Sequence, residues 1–351
     1  MNSGCGEIPY IIDLDKAAEA ARKAGAKRIV LQLPDGLKPY ATTLARCLQQ
    51  RLPETRVYVH MDHNYGACDL QYGQLYATLR PDLIVHVGHS PYPGDLSPTV
   101  EPPSGWGVRI VYVKALSRAE VRREHVAEAA EALRRRGVAR VAVATTSQHT
   151  HRVRQVAEWL RDEGLEVAVP RGLSPYFLDA QTLGCDYRLP RSVRADGFLY
   201  LGGGVFHPLG LYLSTLKPVV KLDPYEGRVT DLTGEGEKLY RNRLYRVMEA
   251  FEARRWGLIV GLKTGQYRPW LVDKLASLIA GQGGEYMLLA SENLSRDTLV
   301  AVDNDWFQAF VVTSCPRLPT DDYWDYHKPV LTPGEARMAL ERRLEPYQFP
   351  W

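Results

Sequence analysis

Arg28-Ile29-Val30-Leu31-Gln32-Leu33, followed by Pro34-Asp35-Gly36 and a helical pattern through Leu44 and Leu48, is the stretch whose reading decides the fold. Its apolar run is continuous rather than alternating, the mark of a strand buried on both faces of a parallel sheet. Proline, aspartate and glycine then break the strand before the helix begins. The same opening returns twice. Arg140-Val141-Ala142-Val143-Ala144 passes through Thr145-Thr146-Ser147 into a helix around Val153 to Leu160, and Trp256 to Leu262 passes through Lys263-Thr264-Gly265 into a helix from Trp270 to Ile279. A second strand follows each opening, at Arg56 to His60, Leu165 to Val169 and Glu285 to Leu289, and a cysteine-bearing segment comes next. Closing strands are expected at Arg109 to Lys114, Lys217 to Leu222 and, shortened, Lys328 to Leu331.

A strand-helix unit recurring every ~110 to 125 residues is too long for a solenoid repeat. It predicts an α/β protein of three similar small domains, each a parallel sheet flanked by helices, arranged around a pseudo-threefold centre. The expected boundaries are 1–115, 116–224 and 225–351, with one cysteine of interest in each. The competing arrangement is a single large doubly wound sheet. Ser90 to Gly107 holds Pro91, Pro93, Pro98, Pro102 and Pro103 and reads as a long surface loop, a lid or a connector.

The 351 residues carry 44 lysines and arginines against 41 aspartates and glutamates, a surplus of +3 that is too small to imply direct nucleic-acid binding. Gly197 to Leu216 runs for twenty residues without a formal charge, yet Gly202, Gly203, Gly204, His207, Pro208 and Gly210 interrupt it. It reads as strand, glycine-rich loop and helix rather than as a membrane span. Met1 to Glu7 has neither a basic start nor an apolar stretch, so the expected location is the cytoplasm.

Five cysteines spread over more than 300 positions do not make the dense, even-numbered framework of a secreted disulfide protein. Three of them follow the repeat. Cys185 lies 117 positions after Cys68, and Cys315 lies 130 after Cys185. Ligands of open α/β units gather at the carboxyl ends of the strands, where three loop thiols from three domains can meet. Three thiolates suit a four-iron cluster with one iron left open to an exogenous molecule. Ala67, Gly184 and Ser314 precede them and let the backbone approach such a core, and Pro316 repeats the Cys-Pro order of ferredoxin ligand sets. The plainer alternative is that each cysteine only packs, as buried thiols often do. Absence of a Cys-x-x-Cys pair argues against a zinc ribbon. Cys47 reads as part of a helix face, and Cys5 is assigned no role.

Taken together, Gln32 to Leu37, Tyr65-Gly66-Ala67-Cys68-Asp69, His86-Val87-Gly88-His89-Ser90, Leu183-Gly184-Cys185 and Ser314-Cys315-Pro316-Arg317 resemble the diphthamide synthase family of the archaeal homodimeric type. Order and spacing cover nearly the whole chain. The resemblance implies three α/β domains, each giving one cysteine to a 4Fe-4S cluster, with Cys68, Cys185 and Cys315 in the matching positions. It implies an enzyme, a 2-(3-amino-3-carboxypropyl)histidine synthase. Such an enzyme moves a 3-amino-3-carboxypropyl group from S-adenosylmethionine to an imidazole carbon of a histidine in translation elongation factor two, the first step of diphthamide formation. Methylthioadenosine is left behind. These are radical S-adenosylmethionine enzymes without the usual Cys-x-x-x-Cys-x-x-Cys motif, which is also missing here. A homodimer and an external electron donor are implied by the same likeness.

Candidate pocket residues come partly from this resemblance. Gly202 and Gly203 can offer backbone N–H groups to an anion, with the following helix adding its dipole. His207 opens a segment through Leu211 that is similar to the family's His-Pro-x-Gly-Leu. Gln266 matches a glutamine of the third domain, although Lys263-Thr264-Gly265-Gln266 is shorter than the family's glycine-rich pattern. Arg317 and Asp321 match Cys-Pro-Arg-x-x-x-Asp, where the arginine would take a carboxylate and the aspartate an amine; a mutual surface pair explains them equally. Gln32, Asp35 and Gly36 occupy the first strand-to-helix junction, where Asp35 can also be a helix cap. His86 and His89, three apart near a strand end, are discounted as ligands of one shared ion, since such residues on an extended strand face opposite ways unless the chain turns between them; His89 is expected to line the pocket and His86 to pack. His149 and His151 read as exposed loop histidines. Asp69 stands where many eukaryotic relatives double the cysteine. Beyond the cluster ligands no catalytic residue is assigned. Two rival readings remain: an iron–sulfur condensing enzyme like quinolinate synthase, and an iron–sulfur electron-transfer or scaffold protein without catalysis.

Overall fold

The computed structural model describes residues 7–99, 101–172 and 177–351, so Cys5 lies outside the described part. A short strand, β1 (Tyr10–Ile12), precedes the first parallel sheet, which holds β2 (Arg28–Gln32), β3 (Arg56–Val59), β4 (Leu83–Val87) and β5 (Arg109–Val113) in the order β3-β2-β4-β5. A further short strand, β6 (Ala115–Ser117), turns back antiparallel onto β1. The second sheet has β7 (Arg140–Thr145), β8 (Glu166–Ala168), β9 (Gly197–Leu201) and β10 (Val219–Asp223), with β11 (Arg228–Asp231) added antiparallel along β10. Its order is β11-β10-β9-β7-β8. The third sheet has β12 (Arg255–Gly261), β13 (Glu285–Ser291), β14 (Ala309–Val312) and β15 (Val330–Leu331), in the order β13-β12-β14-β15. The described strands thus form three parallel sheets and a small ribbon, not one doubly wound sheet. In each large sheet the first strand lies between the second and the third, and the fourth follows the third.

Helices connect the parallel strands, as parallel pairing requires. Every residue of β4, β9, β10 and β14 is buried, which is why these segments carry apolar runs without alternation, with His86 and the Lys221–Asp223 pair as their buried polar members. The expected boundary at 224 falls between β10 and β11, inside the second sheet. Arg228 to Asp231 carries too few apolar residues to read as a strand; it forms because the edge of β10 offers a ladder. Cys47 packs in the core beside Leu44 and Leu48 as its helix position implied, and it is also disulfide-bonded, which its helical spacing did not signal. No described helix is long and apolar enough to cross a membrane.

The Pro-rich segment works as a connector. Ser97 Oγ donates to the carbonyls of Thr264 at 2.7 Å and Tyr267 at 2.8 Å, tying the first sheet's loop to the third's, and Tyr72 Oη donates to the Thr99 carbonyl at 2.7 Å, holding that loop to its own unit. Arg243, on the helix Thr233–Glu249, meets Glu335 at 2.7 Å, and both side chains are fully buried. Thr332 and Glu335 form a capping box, and Tyr347 Oη also donates to Glu335 at 2.7 Å. Replacing Arg243 by methionine leaves the carboxylate buried without its partner. Urea denaturation of the Arg243→Met variant should show a loss of about 3–5 kcal/mol in unfolding free energy.

Candidate functional site

All three repeat cysteines lie in loops that link parallel strands. Cys68 lies between β3 and β4, Cys185 between β8 and β9, and Cys315 directly after β14. Cys315 therefore follows the third strand of its sheet, not the second as the repeat suggested. Its topological counterparts are the loop Gly88 to Ser90 after β4 and the loop Gly202 to Gly204 after β9.

The three thiols nonetheless share one place. Burial is the main cause that raises the pKa of each, and repulsion between the thiols adds to it at two of them: Cys185 and Cys315 raise Cys68, and Cys185 raises Cys315, which is pushed up to about 11. Each cysteine keeps some accessible surface. Loops of the third sheet dock directly on the first. Gly265 N donates to the Cys68 carbonyl at 2.8 Å, Leu70 N donates to Thr264 Oγ1 at 3.1 Å, and Lys263 Nζ pairs with Asp69 at 2.8 Å in a buried ion pair. A Cβ at Gly265 would collide with the Cys68 backbone and stand 2.6 Å from its Cβ, so only glycine fits there. Gln266 Nε2 approaches Cys68 Sγ at 3.7 Å.

Around Cys185, Tyr92 Oη stands 3.2 Å from the sulfur, and Trp351 Nε1 donates to the backbone carbonyl at 2.9 Å. Arg268 donates to Tyr92 Oη at 2.7 Å. Its positive charge and the Tyr92 hydroxyl oppose the burial-driven rise at Cys185. Among the described residues no three histidine, cysteine or carboxylate side chains stand close enough to hold a single metal ion. A tetrahedral zinc site would bring its sulfurs within about 3.8 Å of one another. Thiolate ligands contributed by separate loops are also the kind that hold polynuclear iron–sulfur groups.

Comparison with known proteins identifies the family. The family described as putative diphthamide synthesis protein matches residues 33–349. The chain belongs to that family. It is 35% identical over 329 residues to the 2-(3-amino-3-carboxypropyl)histidine synthase of Pyrococcus horikoshii, covering 93% of this chain and 90% of the relative. Subunit 1 of the synthase of that name from Homo sapiens is 30% identical over 338 residues, 94% of this chain and 72% of its own length. The crystal structure of Dph2 from Pyrococcus horikoshii with a 4Fe-4S cluster superposes with a TM-score of 0.81 at 32% identity, covering 95% of this chain and 92% of the other. The expectation of an enzyme rests on these relatives, which carry the synthase name.

Within this member of the diphthamide synthesis family, the candidate pocket residues fall into three groups. Gln32 and Asp35 anchor the Cys68 loop from two sides. The Gln32 amide donates to the Leu70 carbonyl, while Asp35 holds His63 Nδ1 at 2.6 Å and Lys38 at 2.6 Å, with Lys38 bonded to the carbonyls of Met61 and Asp62. Asp35 is thus no helix cap. Gly36 is exposed and has open space where a side chain would be. Arg317 and Asp321 pair with each other at 3.0 Å and are half exposed, while Arg317 also lies over the Phe206 ring at 5.8 Å.

The third group is histidine-rich. Strand β4 ends at Val87 and Gly88 turns the chain at φ +94°, so His86 and His89 do face one another, Nε2 to Nδ1, at 3.0 Å. The extended-strand argument failed at that glycine. His86 Nδ1 lies 3.2 Å from Gln32 Oε1, an oxygen that can only accept. His86 must then donate from Nδ1 and accept at Nε2, which makes His89 the donor at Nδ1 and leaves its Nε2 as a free acceptor. Burial depresses both imidazoles, His89 to about 4, so both are neutral at pH 7. His207, also pushed down to about 4 by burial and the Arg317 charge, stacks on Tyr200 at 6.2 Å and bears electrostatically on His89. Gly202, at φ +148°, and Gly203 pass close to the rings of Tyr200 and Tyr225. His149 is buried against Tyr225, against expectation, while His151 is exposed.

Sequence reasoning missed Tyr92, Arg268 and Trp351, all brought to the Cys185 side by long-range contacts. Nothing in their local sequence marks them; only the proline-rich composition around Tyr92 hinted at a special loop. In metal-free protein at pH 8, the three thiols should label slowly with a thiol reagent, because burial keeps them protonated. Gly265→Ala should speed labelling of Cys68 by tenfold or more, read by mass spectrometry of the labelled peptides, and rates equal to wild type would contradict the tight docking.

Proposed function

We propose that this protein transfers a 3-amino-3-carboxypropyl group from S-adenosylmethionine to an imidazole carbon of a histidine in translation elongation factor two. The observation that carries the reading is that Cys68 and Cys185 pack in one cluster with Tyr92, and that Arg268 joins Tyr92 to the Ser314 carbonyl beside Cys315, so loops from distant thirds of the chain bring the three thiols to one place. Their loops belong to three sheets of like strand order, which supports three domains disposed around a pseudo-threefold centre, with the first boundary near 115 and the second moved past β11, beyond Asp231. The donor set fits a 4Fe-4S cluster with three thiolate ligands and one open corner. Bound there, the cluster would supply the electron that breaks a carbon–sulfur bond of the sulfonium.

The chain's own work is orientation and exclusion of water. Selecting the bond to the aminocarboxypropyl chain requires that the co-substrate be held in one pose. Gly203 presents its backbone N–H, whereas the Gly202 N–H expected to do the same is spent on the Leu222 carbonyl at 3.0 Å, and Gln266 sits beside Cys68 to meet a polar group. Arg317 and Asp321 would exchange their mutual contact for the carboxylate and amine of the methionine moiety. His89 offers a neutral acceptor nitrogen and His207 a neutral ring, neither repelling a cationic sulfonium. Gln32 and Asp35 act indirectly, by positioning the Cys68 loop, and Gly36 belongs to the same junction. A second copy of the chain and an external one-electron donor complete the system in the cytoplasm.

Anaerobically reconstituted protein should bind iron and, once reduced, release methylthioadenosine rather than 5′-deoxyadenosine from S-adenosylmethionine. Cys68→Ala, Cys185→Ala and Cys315→Ala should each lose most of the iron and reduce turnover at least a hundredfold. Full iron content in all three variants, or 5′-deoxyadenosine as the product, would sink the reading.

A further inference from the structure

Two arginines of this protein are almost completely buried, and they are satisfied in opposite ways. Arg243 has a buried carboxylate, Glu335, against it. Arg268, 1% exposed, has none among the described residues. Its Nη1 donates to the carbonyls of Ser314, Thr313 at 3.2 Å and Gln266 at 3.3 Å. Its Nη2 donates to the Gly265 carbonyl at 3.3 Å and to Tyr92 Oη at 2.7 Å, and the guanidinium lies 4.3 Å from the centre of the Trp351 ring. Nε has no partner.

A buried cation whose neighbours are carbonyls, a phenol and an indole is not neutralised, and burial of an uncompensated ion is strongly unfavourable. The anion it lacks is available next door. Arg268 bonds the carbonyl of the residue before Cys315, and through the Tyr92 hydroxyl it reaches Cys185 Sγ, 3.2 Å away. Because the guanidinium can only donate to the phenol oxygen, the phenol proton is free to point at the sulfur, the polarity suited to a thiolate.

We propose that Arg268 is the resident countercharge of the three-thiolate centre, with Tyr92 carrying a hydrogen bond from it to Cys185, so that the pair sets how readily the bound cluster accepts an electron. The inference rests on the cluster reading above and adds a determinant of its potential. An incoming electron makes the cluster and its thiolates more negative. A fixed cation and a hydrogen bond to a ligating sulfur both favour the reduced form, the two levers a protein has besides ligand identity and solvent access.

The alternative is that Arg268 only staples carbonyls 265, 266, 313 and 314 together. Charge and stapling separate in two variants of the reconstituted full chain: Arg268→Gln removes the charge, whereas Arg268→Lys keeps it but cannot reach all five acceptors. The readout is the midpoint potential from an electron-paramagnetic-resonance redox titration, with iron content measured alongside. Arg268→Gln should shift the one-electron equilibrium at least tenfold against reduction, about 59 mV more negative. Arg268→Lys should stay within threefold of wild type, and Tyr92→Phe should shift at least threefold in the same direction as the glutamine variant. Equal shifts in the lysine and glutamine variants, or an unshifted glutamine variant with full iron, would overturn the proposal. If the glutamine variant holds no iron, Tyr92→Phe decides: an iron-loaded, unshifted protein overturns it, and a negative shift supports it. Wild-type protein that assembles no cluster would remove the underlying reading as well.

Discussion

Three buried thiols cannot be brought together without a penalty, because each raises the energy of ionising the others and burial raises it further. The structure is organised around that constraint. Backbone-to-backbone docking of the Gly265 loop on Cys68 fixes two of the three sheets against each other at the point of closest approach, where a side chain has no room. The Tyr92 hydroxyl and Arg268 bring proton-donating and positive character to the Cys185 side. Lys263 and Asp69 neutralise each other one residue away from Cys68.

Loop position relative to the strands explains how the same architecture supplies different groups. In the first two sheets the cysteine follows the second strand, while in the third it follows the third strand. The loops after the third strands of the first and second sheets hold His89 and Gly202 to Gly204 instead. All of these lie at the carboxyl ends of parallel strands, the edge where open α/β sheets gather their ligands. Each sheet thus contributes to the site through loops beyond its strand ends.

Much of the fold was legible because parallel strands buried on both faces carry near-continuous apolar runs, as in β2, β4, β7 and β12. The segment β11 was not, since its pairing partner rather than its composition makes it a strand. Among the site residues the cysteines stood out by spacing, and Gln266 by its place after a strand, yet the roles of Gln32 and Asp35 read differently in space. Both hold the loop that carries Cys68. The facing pair of His86 and His89 was misjudged because strand geometry was extended one residue past Val87, where the positive φ of Gly88 reverses the ring of His89 toward its neighbour.

The amino-acid sequence by itself determined the elements, their threefold recurrence and the presence of one thiol per recurrence, because periodicity and residue type act over a few residues and survive any arrangement of the parts. Tertiary structure alone decided which groups surround those thiols. Arg268 lies 176 positions from Tyr92, and Trp351 lies 166 from Cys185. Contacts of that range are fixed only when separate sheets dock, and the electrostatics of a buried centre depend on such neighbours rather than on the residues adjacent in the chain.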